Sequence, residues 1–201
     1  MLNRFRALAT RIFTPVAKVL LRLGVSPDAV TIVGTLGVAA SALWFFPRGE
    51  FLVGTLLIAV FVFSDTIDGV MARHSGRTSS FGAFLDSSLD RIGDASIFGG
   101  LVLYYAWRGD RVLTCVALAV LVLGMLVSYV RARAEGLGMT ASVGVAERAD
   151  RLVLILVATF VTGIGLWEPM VALALWVLAV LSAITVLQRI LVVRTQALSR
   201  G

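Results

Sequence analysis

Charge is scarce in this 201-residue chain: Asp, Glu, Lys and Arg make up 15% of it, where a soluble domain carries about 25%. Reactive side chains are scarcer still. Cys115 is the only cysteine, so no internal disulfide forms, and its mid-span position suits a small buried hydrophobe. His74 is the only histidine. With no second His or Cys beside it to complete a ligand set, it reads as a loop residue. Lysine occurs once, as Lys18, against 17 arginines. Near the N-terminus, Arg4, Arg6, Arg11 and Lys18 stand where a signal peptide would have a short apolar core and a small-residue cleavage site. No secretory signal peptide is therefore expected. No period of about 20–50 residues repeats, which excludes a solenoid.

What fills the chain is hydrocarbon. Hydrophobic residues make up 59% of it, and the mean hydropathy is +0.95. A helix crosses a bilayer with about 20 apolar residues at about 1.5 Å each, and several stretches qualify. The fold class predicted is all-α integral membrane, one domain over residues 1–201. Six spanning helices are expected near 28–46, 51–72, 82–106, 112–133, 151–167 and 169–193. Residues 3–22 are amphipathic, with Phe5, Leu8, Ile12, Val16, Val19 and Leu20 at helical spacing between basic residues. They predict a helix lying in the headgroup plane, interrupted at Pro15.

Arginine and lysine give the orientation. The N-terminal segment, 73–91, 131–151 and the tail carry 15 of the 18, whereas the loops at 47–50 and 107–111 carry Arg48, Arg108 and Arg111. The richer side is the cytoplasmic one. The chain is expected in the cell membrane as a multi-pass protein, with membrane lipids as surroundings and no nucleic-acid partner.

Against this background the stretch FSDTIDGVMARHSGRTSSFGAFLDSSLD, residues 63–90, is anomalous. Asp65 and Asp68 are three apart, and Asp86 and Asp90 four apart, so each pair shares a helix face. The second and third helices are expected to be antiparallel neighbours that bring both pairs to one depth. Four ionised carboxylates near hydrocarbon are costly and repel one another. A hard divalent cation (Mg²⁺, Mn²⁺ or Ca²⁺) relieves both problems, and two ions about 4 Å apart make a two-metal site. Interfacial caps and ion pairs account for a single such Asp but not for four with paired spacing. A rival class is an ion-coupled transporter or cation channel. It would hold its acids near mid-membrane and show broken helices in paired halves. Here the acids lie toward one face and no inverted repeat is visible.

Read as a pattern, the stretch is D-x2-D-G-x2-A-R-x8-G-x3-D-x3-D, filled by Asp65, Asp68, Gly69, Ala72, Arg73, Gly82, Asp86 and Asp90. This resembles the CDP-alcohol phosphotransferase family, over essentially the whole chain. The resemblance implies that Asp65, Asp68 and Asp86 ligate one Mg²⁺ and that Asp65, Asp86 and Asp90 surround a second, Mn²⁺ being an alternative. It implies Asp90 as general base toward an acceptor hydroxyl. Gly69, Ala72 and Gly82 leave room for a nucleotide, and Arg73, Thr78 and Ser79 meet its diphosphate. PDAVT at 27–31 looks like the family's nucleotide-pocket element, which assigns Asp28, Ala29, Val30 and Thr31 to the cytidine end. One substrate is then a CDP-linked lipid, CDP-diacylglycerol.

The acceptor has to be read from arginine. Arg131, Arg133, Arg148 and Arg151 lie at the cytoplasmic ends of the fourth and fifth helices, and Arg189 and Arg194 near the end of the sixth. Arginine at such ends also follows from topology and anionic lipid, but Arg148 and Arg151, a turn apart, suit an acceptor that carries its own phosphate. The run DSSLDRIGD, with VRARAEG and VGVAERADR, is similar to the branch of the family that uses inositol 1-phosphate. Arg131, Arg148, Arg151 and Arg194 are the expected phosphate contacts. The alternative is the branch that makes phosphatidylglycerol phosphate from glycerol 3-phosphate. The family resemblance also implies a homodimer.

Overall fold

A computed structural model of the protein describes residues 14–62, 67, 69–71 and 80–199. Within these residues the chain is helical, with no strand. Six long helices follow a short helical run at 14–22: α1 (Pro27–Phe45), α2 (Phe51–Val62), α3 (Ser80–Trp107), α4 (Arg111–Gly136), α5 (Arg148–Gly163) and α6 (Met170–Leu198). Residues 67 and 69–71 are also helical. Residues 3–13 of the expected interfacial helix lie outside the described residues, as do Asp65, Asp68, Ala72, Arg73, Thr78 and Ser79.

Local chemistry explains the boundaries. Ser26 accepts the Ala29 N–H at 3.2 Å, with Pro27 and Asp28 in the first turn of α1, where neither a missing N–H nor a negative charge is costly. Asp110 caps α4 by accepting the Leu113 N–H at 2.9 Å. The RGD turn before it needs Gly109 at φ +74. Helix α5 starts at Arg148, three residues before its expected start, because Asp150 accepts the Glu147 N–H at 3.1 Å, one half of a capping box. Helix α6 runs to Leu198, past the expected end at 193.

The principal helix contacts close a ring in the order α1–α3–α4–α6–α5–α2 and back to α1. This corrects one sequence expectation in part, since the acidic end of the second helix lies outside the described residues. Over the described residues α2 and α3 are not close packing partners, because α1 stands between them. It fits there because its faces are small. A Cβ on Gly100 of α3 would lie 2.6 Å from the Ala42 carbonyl of α1, and one on Gly37 of α1 would lie 2.4 Å from the Phe61 ring. On the far side, Gly163 lets α5 meet the Leu52 backbone of α2. Nearby, the Thr55 and Thr159 hydroxyls pair at 2.7 Å, so this apolar interface holds no unsatisfied hydroxyl.

The interior is Val38, Phe46, Phe51, Ile58, Phe98, Leu101, Ile155 and Leu175, all buried. The outer faces are apolar too: Leu36, Trp44, Val60, Val112, Val153 and Leu187 are exposed. Among the described residues three helices, α1, α4 and α6, are long and apolar enough to cross a membrane. Helix α3 has the length, at 28 residues, but it carries Asp86, Asp90, Arg91 and Asp94.

Candidate active site

Contacts between α1 and α3 give the register of the site. A Cβ on Gly93 would touch Val38 and one on Gly100 would touch Ala42. Residue numbers therefore rise together along the two helices, which run parallel. Thr35 accordingly lines a small void with Asp90, Gly93 and Arg148. One turn earlier, Thr31 on α1 comes level with Asp86 on α3. The expected nucleotide element thus starts α1 at the depth of the acidic pair. Asp28, Ala29 and Val30 are half-buried there, and Thr31 is buried with its hydroxyl donating to the Pro27 carbonyl at 3.2 Å. Val30 packs with Ile67 against Val70 and Met71, which Ala17 covers from the helical run at 14–22. Gly69, half-buried between them, lies at this same end, and half-buried Gly82 is in the first turn of α3.

Beside this end lies a cavity of about 640 Å³, within the roughly 300–1,000 Å³ of small-molecule sites. Five helices line it. Val62 comes from α2, Asp90 and Arg91 from α3, Ser128 and Arg131 from α4, Arg148 from α5, and Arg189 from α6. Glu135 and Glu147 complete its polar lining.

Arg148 reaches two carboxylates, Asp90 Oδ1 from Nη1 at 2.8 Å and Asp94 Oδ1 from Nε at 3.1 Å. Arg151, 1% exposed, donates from Nη2 to Asp94 Oδ2 at 3.4 Å and from Nη1 to the Ala146 carbonyl at 3.2 Å. It lies behind the cavity wall, where Gly124 of α4 supplies no side chain to obstruct the guanidinium. Removing one member of a buried ion pair costs about 3–5 kcal/mol, because the other charge stays behind. Arg189 is 3% exposed; its Nε donates to the Val143 carbonyl at 2.8 Å and its Nη1 to the Val127 carbonyl at 2.6 Å. It joins α6 to α4 and to the loop before α5.

Of the expected acceptor contacts, Arg131 and Arg148 line the cavity. Arg131 also holds Glu135 at 2.9 Å on its own helix. Arg194 is exposed near the end of α6. Sequence reasoning did not name Asp94, and it placed Arg189 among the basic helix ends without assigning it to the acceptor. Asp94 had a signal, since Asp86, Asp90 and Asp94 recur every four residues along one helix face.

Asp86 is exposed and shares that face with Asp90. The two carboxylates present hard oxygen donors to a divalent cation. Among the described residues no group of three or more potential ligands gathers. Asp65 and Asp68, the other expected members, lie outside the described residues.

A family model described as CDP-alcohol phosphatidyltransferase matches residues 24–187. Phosphatidylinositol phosphate synthase of Streptomyces avermitilis is 50% identical over 205 residues, which cover 98% of this chain and 84% of that protein. The crystal structure of the Mycobacterium tuberculosis phosphatidylinositol phosphate synthase with CDP-DAG bound superposes with a TM-score of 0.88. It is 41% identical, and the match covers 91% of this chain and 94% of that one. The same enzyme in complex with manganese and citrate also gives 0.88 at 41% identity, over 91% and 89% of the two chains. From its acidic pattern, its helical architecture and these matches, the chain belongs to the CDP-alcohol phosphatidyltransferase family of membrane enzymes.

Proposed function

We propose that the protein transfers the phosphatidyl group of CDP-diacylglycerol to a hydroxyl of inositol 1-phosphate, giving phosphatidylinositol phosphate and CMP. One observation carries the reading. A single cavity is lined by Asp90 together with Arg131, Arg148 and Arg189, a base beside a cradle for an anionic acceptor. Relatives 40–50% identical to this chain are phosphatidylinositol phosphate synthases, which disfavours the glycerol 3-phosphate alternative.

In this reading the cytidine end lies against Asp28, Ala29, Val30 and Thr31, with Gly69, Ala72 and Gly82 leaving room and Arg73, Thr78 and Ser79 on the diphosphate. Arg131 and Arg148 hold the acceptor phosphate. Arg189 joins them from α6, Arg151 reinforces the field from behind the wall, and Arg194 extends it at the exposed end. So held, the acceptor turns a hydroxyl toward Asp90, which takes its proton. The acceptor oxygen bonds to the phosphatidyl phosphorus as the bond to CMP breaks. Asp65, Asp68, Asp86 and Asp90 would hold two divalent ions, Mg²⁺ or Mn²⁺, which when bound neutralise the diphosphate and the leaving CMP. The manganese complex of the mycobacterial relative supports a metal here.

We place this site at the cytoplasmic face of the cell membrane, in one domain spanning residues 1–201. Six helices cross the bilayer and an interfacial helix over 3–22 precedes them. The exposed Val16, Val19 and Leu23 beside Lys18 and Arg22 suit that segment, and the family resemblance supports a homodimer. The test is an acceptor panel: inositol 1-phosphate, glycerol 3-phosphate, free inositol and serine, each with radiolabelled CDP-diacylglycerol. Inositol 1-phosphate should release CMP fastest, with free inositol poor. Equal use of free inositol would overturn the phosphate-reading cradle.

A further inference from the structure

Asp94 belongs to neither the acidic motif nor the lining of the large cavity, yet its carboxylate is buried between two arginines. It is 7% exposed, one turn beyond Asp90 on α3. Its two oxygens take different arginines of α5: Oδ1 accepts from Arg148 Nε at 3.1 Å and Oδ2 from Arg151 Nη2 at 3.4 Å. Arg148 turns its Nη1 to Asp90 Oδ1 at 2.8 Å. A guanidinium is planar, so donating from Nε and Nη1 to two carboxylates a helical turn apart fixes both its place and its plane. Arg151 in turn anchors Asp94 to the chain entering α5, through the Ala146 carbonyl at 3.2 Å.

We propose that Asp94 is a positioning residue for acceptor use: it sets the guanidinium of Arg148 in the orientation that binds the acceptor's phosphate beside Asp90. The inference rests on the acceptor reading above. Asp94 touches neither substrate. Its effect reaches the reaction through Arg148, while its bond to Arg151 keeps the carboxylate from following Arg148 when the cavity fills.

The experiment compares Asp94→Asn, Asp94→Glu, Arg148→Ala and the Asp94→Asn/Arg148→Ala pair in the purified full-length protein. KM for inositol 1-phosphate, KM for CDP-diacylglycerol, kcat and the thermal midpoint are measured for each. Asp94→Asn should raise the acceptor KM about tenfold, the scale of one charge-assisted hydrogen bond, with the lipid KM unchanged. Asp94→Glu keeps the charge beside Arg151 but moves the oxygens by a methylene, so it should hold the midpoint and still raise the acceptor KM. It carries the test if Asp94→Asn fails to fold. In the Arg148→Ala background Asp94→Asn should add nothing, since the two act as one unit. Wild-type acceptor KM in Asp94→Glu, or full additivity in the pair, would reduce Asp94 to a charge partner of Arg151. If Arg148→Ala raises the acceptor KM but neither Asp94 variant does, this inference alone fails. If Arg148→Ala leaves every acceptor's KM unchanged, the acceptor reading beneath it fails.

Discussion

Ala146 gives its backbone N–H to the hydroxyl of Thr185, 39 residues later, at 3.1 Å. The same oxygen takes the Val145 N–H at 3.2 Å. Four residues on, Arg189 holds the Val143 carbonyl, and farther along Gln196 binds both the N–H and the carbonyl of Thr140. The segment between α4 and α5 is thus laid along one face of α6, and it delivers Glu147 and Arg148 to the cavity. Thr185→Val strands two donors, one of them buried, at about 1–3 kcal/mol each. The thermal midpoint should fall by about 2–4 °C per kcal/mol and the acceptor KM should rise, while Thr185→Ser stays close to wild type. An unchanged midpoint in Thr185→Val would show that the segment is held otherwise.

The arginines of α4 offer an internal control. Arg131 lines the cavity, whereas Arg133, two residues on, is exposed and does not. Losing one charged hydrogen bond of about 1.5–3 kcal/mol corresponds to roughly ten- to a hundredfold in affinity. Arg131→Ala should raise the KM for inositol 1-phosphate in that range, and Arg133→Ala should not. Equal effects from both would mean that they act through the surface field alone.

Chelation tests the metals. Excess EDTA should abolish CMP release, and Mg²⁺ or Mn²⁺ should restore it. Asp86→Asn should remove most activity at any metal concentration tested. Asp90→Asn should lower kcat more than it weakens binding of the CDP-lipid, as loss of a base does. Full turnover in excess chelator would end the two-metal reading.

Packing gives a prediction free of any functional reading. A Cβ at Gly163 would lie 2.4 Å from the Leu52 backbone nitrogen, and backbone yields less readily than a side chain. Gly163→Ala should destabilise the protein by about 1–3 kcal/mol, read as a lower unfolding midpoint. Gly136→Ala, where nothing lies within 4 Å, should not.

Much of this was readable in the sequence, for a definite reason. Helix starts are local, and the expected starts at 28 and 112 fall within one residue of Pro27 and Arg111. Asp86 and Asp90 share a face by helical periodicity alone. What stayed hidden was long-range. Asp94 matters through Arg148 and Arg151, 54 and 57 residues away. Arg189 looked like one more basic residue near a helix end. Its burial depends on carbonyls of Val127 and Val143 that only the folded chain brings to it. The insertion of α1 between α2 and α3 was equally illegible, because a short connection suggests neighbours and cannot report a third helix packed more tightly between them.

That ring order has a consequence for biogenesis. The helices are synthesised one to six but are joined as α1–α3–α4–α6–α5–α2. A ribosome that has delivered α1 to α4 has made a row from α2 through α1 and α3 to α4, whose two ends have no partners. Only α5 and α6, the last to emerge, bridge α2 to α4, and Arg189 is among the last residues of the wall. The cavity is therefore not closed until almost the whole chain has been made. A chain arrested before α6 would present the acidic face of α3 without the helix that brings Arg189 to the cavity.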